Sequence, residues 1–169
     1  MNFNYFWAMP NKETFKIKPI KDILEKVTSN QDLRIIDPFA KRKHEFALLT
    51  NDINENNDTH FNECASIFLQ RFEDNSVDLI LFDPPYSLRQ VKECYDKIGN
   101  SLTHEESKTF FSNIKNIISK KLKKGGLVIS FGWSSVGMGR SRGFDKIELN
   151  LICHGGNHND TIMLMEVKS

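Results

Sequence analysis

The sequence has no excess of either charge: 23 lysines and arginines stand against 22 aspartates and glutamates, a formal net charge of +1 over 169 residues. A global electrostatic attraction to nucleic acid is therefore excluded, and any such binding has to come from local patches. Cysteine is scarce. Cys64, Cys94 and Cys153 have no short paired spacing, which excludes a zinc knuckle and an even disulfide set and points to a reducing, cytoplasmic compartment. No run approaches the ~20 apolar residues of a membrane span. The opening "MNFNYFWAMP" has neither the positive segment nor the unbroken apolar stretch of a secretory leader. These absences predict a soluble intracellular protein with no membrane among its partners. Internal repeats are also missing, and the length suits one domain, 1–169, with a single core.

What is present is an alternation of strand-like and helical segments. "PIKDILEKVT" at 19–28 has Pro19 where a helix begins and Ile20, Ile23, Leu24 and Val27 at helical spacing. "LRIIDPFA" at 33–40 and "FALLTNDIN" at 46–54 look like buried strands ended by Asp37-Pro38 and by Asn51-Asp52. Only "KRKHEF" separates them, too little for the helix of a parallel crossover, which needs roughly ten residues or more. That first crossover helix is expected to be missing or reduced to a turn. "FNECASIFLQRF" predicts a short strand and a helical turn, and "VDLILFD" at 77–83 is the clearest central strand. Residues 103–123 read as a helix, with Thr103 and Glu106 as a capping box and "KKGG" as a glycine stop. The stretches 87–102 and 134–143 read as loops. "KIELNLICH" and "TIMLMEV", joined by "GGNHND", predict an antiparallel hairpin. The sum is an α/β protein with an open, mostly parallel, Rossmann-like sheet closed by that hairpin, whose ligands lie at the carboxyl ends of the strands.

The most informative residues stand at that edge. "LILFDPPYS" at 80–88 puts Asp83, Pro84, Pro85 and Tyr86 directly after the central strand. Two prolines cannot continue a strand ladder, so the Pro84 carbonyl is left to accept a hydrogen bond from something else. A carboxylate, a carbonyl and a flat ring suit a planar base with an exocyclic amine, two acceptors taking its N–H bonds while the ring stacks on its face. Taken alone, the same four residues are also a common turn.

The stretch resembles the (Asp/Asn/Ser)-Pro-Pro-(Tyr/Phe/Trp) motif of S-adenosylmethionine-dependent amino methyltransferases, which methylate adenine N6 or cytosine N4, usually in DNA. Asp in first place leans towards adenine. The likeness extends over 15–168 in one order. "FKIKPI" at 15–20 is similar to the segment that closes over the methionine part of the cofactor, and "DPFA" at 37–40 to the start of the cofactor motif. "NDIN" at 51–54 sits where the family keeps an acid for the ribose, and "NDTIMLMEVK" stands in the place of its closing strand. Small methylase-like proteins of phages and mobile elements carry the same abbreviated pattern. The resemblance implies a class I methyltransferase fold, S-adenosylmethionine as cofactor and in-line methyl transfer without a metal. It implies that Asp83 and the Pro84 carbonyl bind the target amine beside Pro85 and that Tyr86 stacks on the base. It places Asp37 near the methionine amino group, Lys18 at the methionine carboxylate, Asp52 on the ribose hydroxyls and Glu63 or Cys64 at the cofactor adenine, with Phe15 and Phe39 as walls of the slot. Where family members continue with closely spaced glycines after Asp-Pro-Phe, this chain reads "AKRKHEF".

Several of these residues have plainer readings too: Asp37 as a cap, Asp52 as a turn acid, Lys18 as a surface lysine, Phe15 and Phe39 as core. Arg140 and Arg142, in the basic, glycine-containing stretch "SSVGMGRSRG", are candidates for phosphate contacts, and Trp133 for stacking on a base or for strand-end core. His154 and His158 lack a third ligand, so no metal is expected. The expected partner is nucleic acid, DNA before RNA, with a protein partner able to supply the specificity that a chain without a separate target-recognition domain lacks. The alternative is a methyltransferase-fold protein that binds nucleic acid or a partner without transferring methyl.

Overall fold

A computed structural model describes residues 1–30, 32–85, 88–97, 99 and 103–169, with only the backbone described at 88, 97, 104, 105, 107 and 108. Seven strands form one sheet: β1 (Asn2–Trp7), β2 (Ile35–Asp37), β3 (Leu49–Thr50), β4 (Val77–Phe82), β5 (Leu122–Gly132), β6 (Phe144–Cys153) and β7 (Thr161–Lys168). Their order across the sheet is β1-β6-β7-β5-β4-β2-β3. β7 runs antiparallel to β5 and β6, and the other pairs are parallel. The expected α/β open sheet and closing hairpin are both present.

Strand alternation sorts the apolar residues onto two faces. Leu79, Leu81, Ile129, Phe131, Met163 and Met165 point to the face covered by α1 (Lys18–Val27), whose Ile20 and Leu24 are fully buried. Pro19 sits in the first turn of α1 as its fixed φ favours. Ile36, Ile80, Phe82 and Val128 point to the other face, under α2 (Ala65–Gln70), α3 (Leu88–Lys97) and α4 (His104–Lys121). α4 starts on the expected capping box: the Glu106 amide donates to Thr103 Oγ1 and the Thr103 amide to Glu106 Oε2. Between β2 and β3 no helix forms, as the short spacing predicts.

Three expectations are corrected. Residues 87–102 were expected as a loop, but they contain α3, which buries Val91 in the core beside α4. "KKGG" does not stop α4, which ends at an extended Leu122. Leu122 pairs with Val77 and Leu127 with Leu79, so residues 123–126 bulge out of β5, and Gly125 supplies the required positive φ of 77°. At 61 there is no strand, only a single bridge from Phe61 to Asn51. The sequence reading also missed β1. Its edge position leaves Phe3, Tyr5 and Trp7 exposed on one face, so it gives no buried stripe, and its register on β6 is reinforced by Asn4 Nδ2 donating to Asn150 Oδ1 at 2.9 Å. Among the described residues no helix is long and apolar enough to cross a membrane.

The connection from β5 to β6 also lacks a helix longer than a 3-10 turn, and a buried acid holds it. Glu166 on β7 is fully buried and accepts the Met138 amide at 2.7 Å and the Gly139 amide at 3.4 Å. Gly137 has φ 65°, and a Cβ there would lie 2.3 Å from Glu166 Oε2. Gly143 has φ 79° and open space around its missing Cβ. Gly137→Ala is therefore expected to lose about 2 to 3 kcal/mol and Gly143→Ala only the ~1 kcal/mol of left-handed strain, as read from urea midpoints. Equal losses would show that the Glu166 contact is not what holds the loop.

Candidate active site

β2, β3 and β4 end side by side, delivering Asp37, then Asn51 and Asp52, then Asp83 to one edge of the sheet. The Asp37 side chain is fully buried. Its Oδ1 accepts the Phe39 amide at 2.8 Å, and its Oδ2 lies 3.0 Å from His44 Nε2. The Phe46 amide donates to His44 Nδ1, which assigns the ring proton to Nε2 and makes His44 the donor to the carboxylate. Burial pushes the Asp37 carboxyl above its ordinary range, and the His44 hydrogen bond opposes that shift. Phe15 packs its edge on the His44 ring at 5.0 Å and lies 5.1 Å from Phe131. The residues 38–48 that replace a crossover helix are thus folded around one carboxylate.

Asn51 ties three segments together. Its backbone N–H donates to the Asp37 carbonyl and its carbonyl accepts the Ala40 amide. Its side-chain amide donates to the carbonyls of Pro38 and Glu63 and accepts the Glu63 amide. Asp52, next in sequence, takes the Asn54 amide on Oδ1 at 2.7 Å in an Asx turn and stays half-buried beside the cleft.

The cleft that results has a volume of about 590 Å³ and is lined by Phe39, Asp52, Asp83, Pro84 and Pro85 among others. A second cavity of about 580 Å³ holds Phe15, Asp37 and His44, and it shares Phe39, Lys41 and Asp83 with the first. A hollow of about 210 Å³ lies behind the prolines, lined by Pro84, Pro85, Phe111, Lys115 and Trp133. Asp83 thus stands in a wall common to two cavities, and the two prolines in a wall common to the cleft and the hollow.

Of the candidates named from sequence, Asp83, Pro84, Pro85, Asp52 and Phe39 come together in the cleft, with Phe15 and Asp37 in the adjoining cavity. Tyr86 lies outside the described residues. The structure does not bring the Lys18 ammonium into either cavity: it is exposed and pairs with Asp22 at 2.7 Å, one turn along α1. Glu63 turns to Arg71, its carboxylate taking Nε at 2.5 Å and Nη2 at 2.9 Å. Cys64 precedes α2 with its thiol 3.2 Å from Ser66 Oγ and 3.1 Å from the Tyr95 hydroxyl. Arg142 is folded onto α4, donating to Asn116, Ser112 and the Met138 carbonyl. Arg140 is exposed, its nearest acid being Asp145 at 3.9 Å. Trp133 opens on the hollow behind Pro84 and Pro85.

Sequence reasoning missed Lys12, Lys41, Tyr95 and Phe110, which also line the cleft. Tyr95 and Phe110 belong to helices whose inner faces are set by packing; burial first, then the Cys64 thiol, push the Tyr95 phenol upward. His154, at the end of the first hairpin strand, bridges the Ala8 carbonyl and Thr161 Oγ1 at the cleft's far end. Among the described residues no group of three His, Cys, Asp or Glu could hold a metal ion.

No protein-family model matches the sequence. No curated protein matches it either. Solved structures do. TrmN from Thermus thermophilus superposes on 90% of this chain and 49% of its own, with a TM-score of 0.57 and 15% identity. For yhhF from Escherichia coli, assigned as a methyltransferase, the shares are 95% and 92%, the TM-score 0.54 and the identity 10%. SMU.776, also assigned as a methyltransferase and solved with SAH, gives 87% and 49%, 0.52 and 10%. The likeness is one of fold: the sheet and its helices have the class I methyltransferase arrangement. The chain spans about half the length of TrmN and of SMU.776.

The Asp37–His44 pair gives a pH-dependent expectation. A carboxyl raised in the folded state above its ordinary 3.8 makes the native protein the better proton binder, so this group's contribution to stability falls as pH rises through that window. Without His44 the opposing hydrogen bond is gone, and the fall becomes larger. His44→Ala is expected to lose about 2 to 3 kcal/mol at about pH 8 and clearly less at about pH 5, in urea titrations. A loss independent of pH would contradict the pairing.

Proposed function

We propose that this class I methyltransferase fold uses S-adenosylmethionine to methylate the exocyclic N6 amine of adenine in DNA. One observation carries the proposal: Asp83, at the end of the central strand β4, lines two adjoining cavities at once, so a donor and an acceptor placed in them would meet at its carboxylate. On this proposal residues 1–169 act as one domain without a separate target-recognition domain.

The residues present fit the cofactor chemically. Asp52 has one oxygen committed to the Asn54 amide and the other available for ribose hydroxyls. Phe39, Ile53 and Ala65 offer apolar surface for the nucleoside, and Lys12 and Lys41 offer positive charge for a carboxylate. When bound, the cofactor would supply an electrophilic methyl on a sulfonium, the sulfur leaving as a neutral thioether and the amine releasing one proton to solvent. Asp83 and the Pro84 carbonyl accept the two N–H bonds of the amine. Held that way, the nitrogen lone pair points away from both acceptors and along the line of transfer. Pro84 and Pro85 fix the backbone, so the acceptors need not reorganise during reaction. The adenine has to leave the stack to reach them. Tyr86 is assigned to its face on sequence grounds, and Trp133 supports nucleic acid at this edge through the hollow it shares with the prolines. Arg140 faces Asp145 at the start of β6, towards the opposite edge of the sheet, and is not part of this site. A protein partner would supply sequence specificity.

A second reading, a protein that keeps the fold and binds nucleic acid or a partner without methyl transfer, is favoured by the sealing of Asp37, whose two oxygens are occupied by Phe39 and His44. The readings separate on one comparison: DNA from cells expressing wild type or Asp83→Ala, digested to nucleosides and assayed for N6-methyladenine. The proposal expects the mark with wild type and a loss of about a thousandfold or more in the variant. Unmethylated adenine with the wild-type protein, folded and supplied with cofactor, would favour the binding protein.

A further inference from the structure

The stretch 38–48 contains no glycine, and most of its backbone donors are already committed. The Phe39 amide is taken by Asp37, the Ala40 amide by the Asn51 carbonyl, the Arg42 amide by Ala40, the Lys43 amide by the Asp58 carbonyl at 2.7 Å and the Leu48 amide by Ile35. The Phe46 amide goes to His44. The committed amides interrupt the segment, so it offers no long run of successive N–H groups to an anion of the kind a glycine loop supplies. Side chains are then the main source of positive charge at this position.

The sequence puts three basic residues there, and the structure disposes of two. Arg42 pairs with Glu13 at 2.7 Å and Lys43 with Asp58 at 2.9 Å. Lys41 has no ion pair with any of the described residues and sits at a positive φ of 53°, an arrangement an L residue adopts at a cost. It lines both cavities, together with Phe39 and Asp83. Lys12, from the segment that follows β1, lines the main cleft in the same way and also has no ion pair with the described residues. The acids facing this region are Asp52, Asp83 and Glu93 in the cleft and Glu13, Asp37 and Glu45 in the second cavity. A ligand bearing a sulfonium, an ammonium and a carboxylate finds acids for its cations there. For its carboxylate these two lysines are the lining cations without an ion pair to the described residues, since Lys16, Lys21, Arg42 and Lys43 are each paired with an acid.

We propose that Lys41, assisted by Lys12, binds the α-carboxylate of the methyl donor in place of a backbone amide cradle. The proposal rests on the methyltransferase reading above. It is tested by calorimetric titration with two ligands: S-adenosylhomocysteine, which carries the amino-acid tail, and 5′-methylthioadenosine, which has the same nucleoside and thioether without it. In Lys41→Ala the homocysteine ligand is expected to bind about tenfold more weakly, with methylthioadenosine unchanged within about twofold. The salt dependence of S-adenosylhomocysteine binding should also flatten in the variant, and Lys41→Arg should restore most of the affinity. Lys41 is exposed, so the variant is expected to fold. Unchanged S-adenosylhomocysteine affinity would overturn the proposal, and so would equal weakening of both ligands, which would make Lys41 a residue of loop shape. If wild type binds neither ligand, the methyltransferase reading itself fails and takes this assignment with it.

Discussion

A carboxylate with no exposure to solvent has to find its donors within reach, and where it finds them decides what the surrounding chain can be. Asp37, at the end of β2, finds the Phe39 amide two residues on and the His44 ring seven residues on. Those two bonds draw residues 38–48 into a tight connection, and a parallel pair of strands is joined without the usual helix. The ends of β2 and β3 are then stitched by Asn51, whose backbone and side chain reach Asp37, Pro38, Ala40 and Glu63. The floor of the cleft is a consequence of that stitching. Asp52 follows Asn51 in sequence and so is delivered to the cleft beside the ends of the central strands.

The other side of the sheet solves a similar problem with another buried acid. Glu166 on β7 collects the amides of Met138 and Gly139, Lys115 donates to the Gly137 carbonyl, and Arg142 is drawn onto α4. The β2–β3 and β5–β6 connections are thus each held by a fully buried carboxylate on a strand. Between them lies Asp83, placed by the simplest device in the molecule: an aliphatic strand that stops at two prolines. The positions of the two loops relative to Asp83 give the site its shape, with cavities in front and a hollow behind that includes Trp133.

The features legible in the sequence were those fixed by local rules. The central strand, the capping box at Thr103, the closing hairpin and the lack of room for a helix after Asp37 all follow from spacing and residue type within about twenty positions. What escaped was set by partners distant in sequence. β1 packs by pairing with β6, 146 positions away at the Asn4–Asn150 hydrogen bond, and its exposed aromatics carry no periodic core signal. "KKGG" follows a helix and looks like its stop, yet the glycines serve a bulge against β4. Glu63 and Arg142 are polar residues at suitable places in the order of motifs, but Arg71 and α4 claim them. Lys41 was hidden inside a run of three basic residues, and only the pairing of its two neighbours with acids singles it out.

On this reading the glycine-free connection after Asp37 still forms a donor site that opens onto Asp83. A crystal structure of the protein grown with S-adenosylhomocysteine would show whether it does. Ribose density is expected at Asp52, the nucleoside against Phe39 and the sulfur directed towards Asp83. Density elsewhere on the molecule, or an empty cleft in crystals grown at saturating ligand, would contradict it.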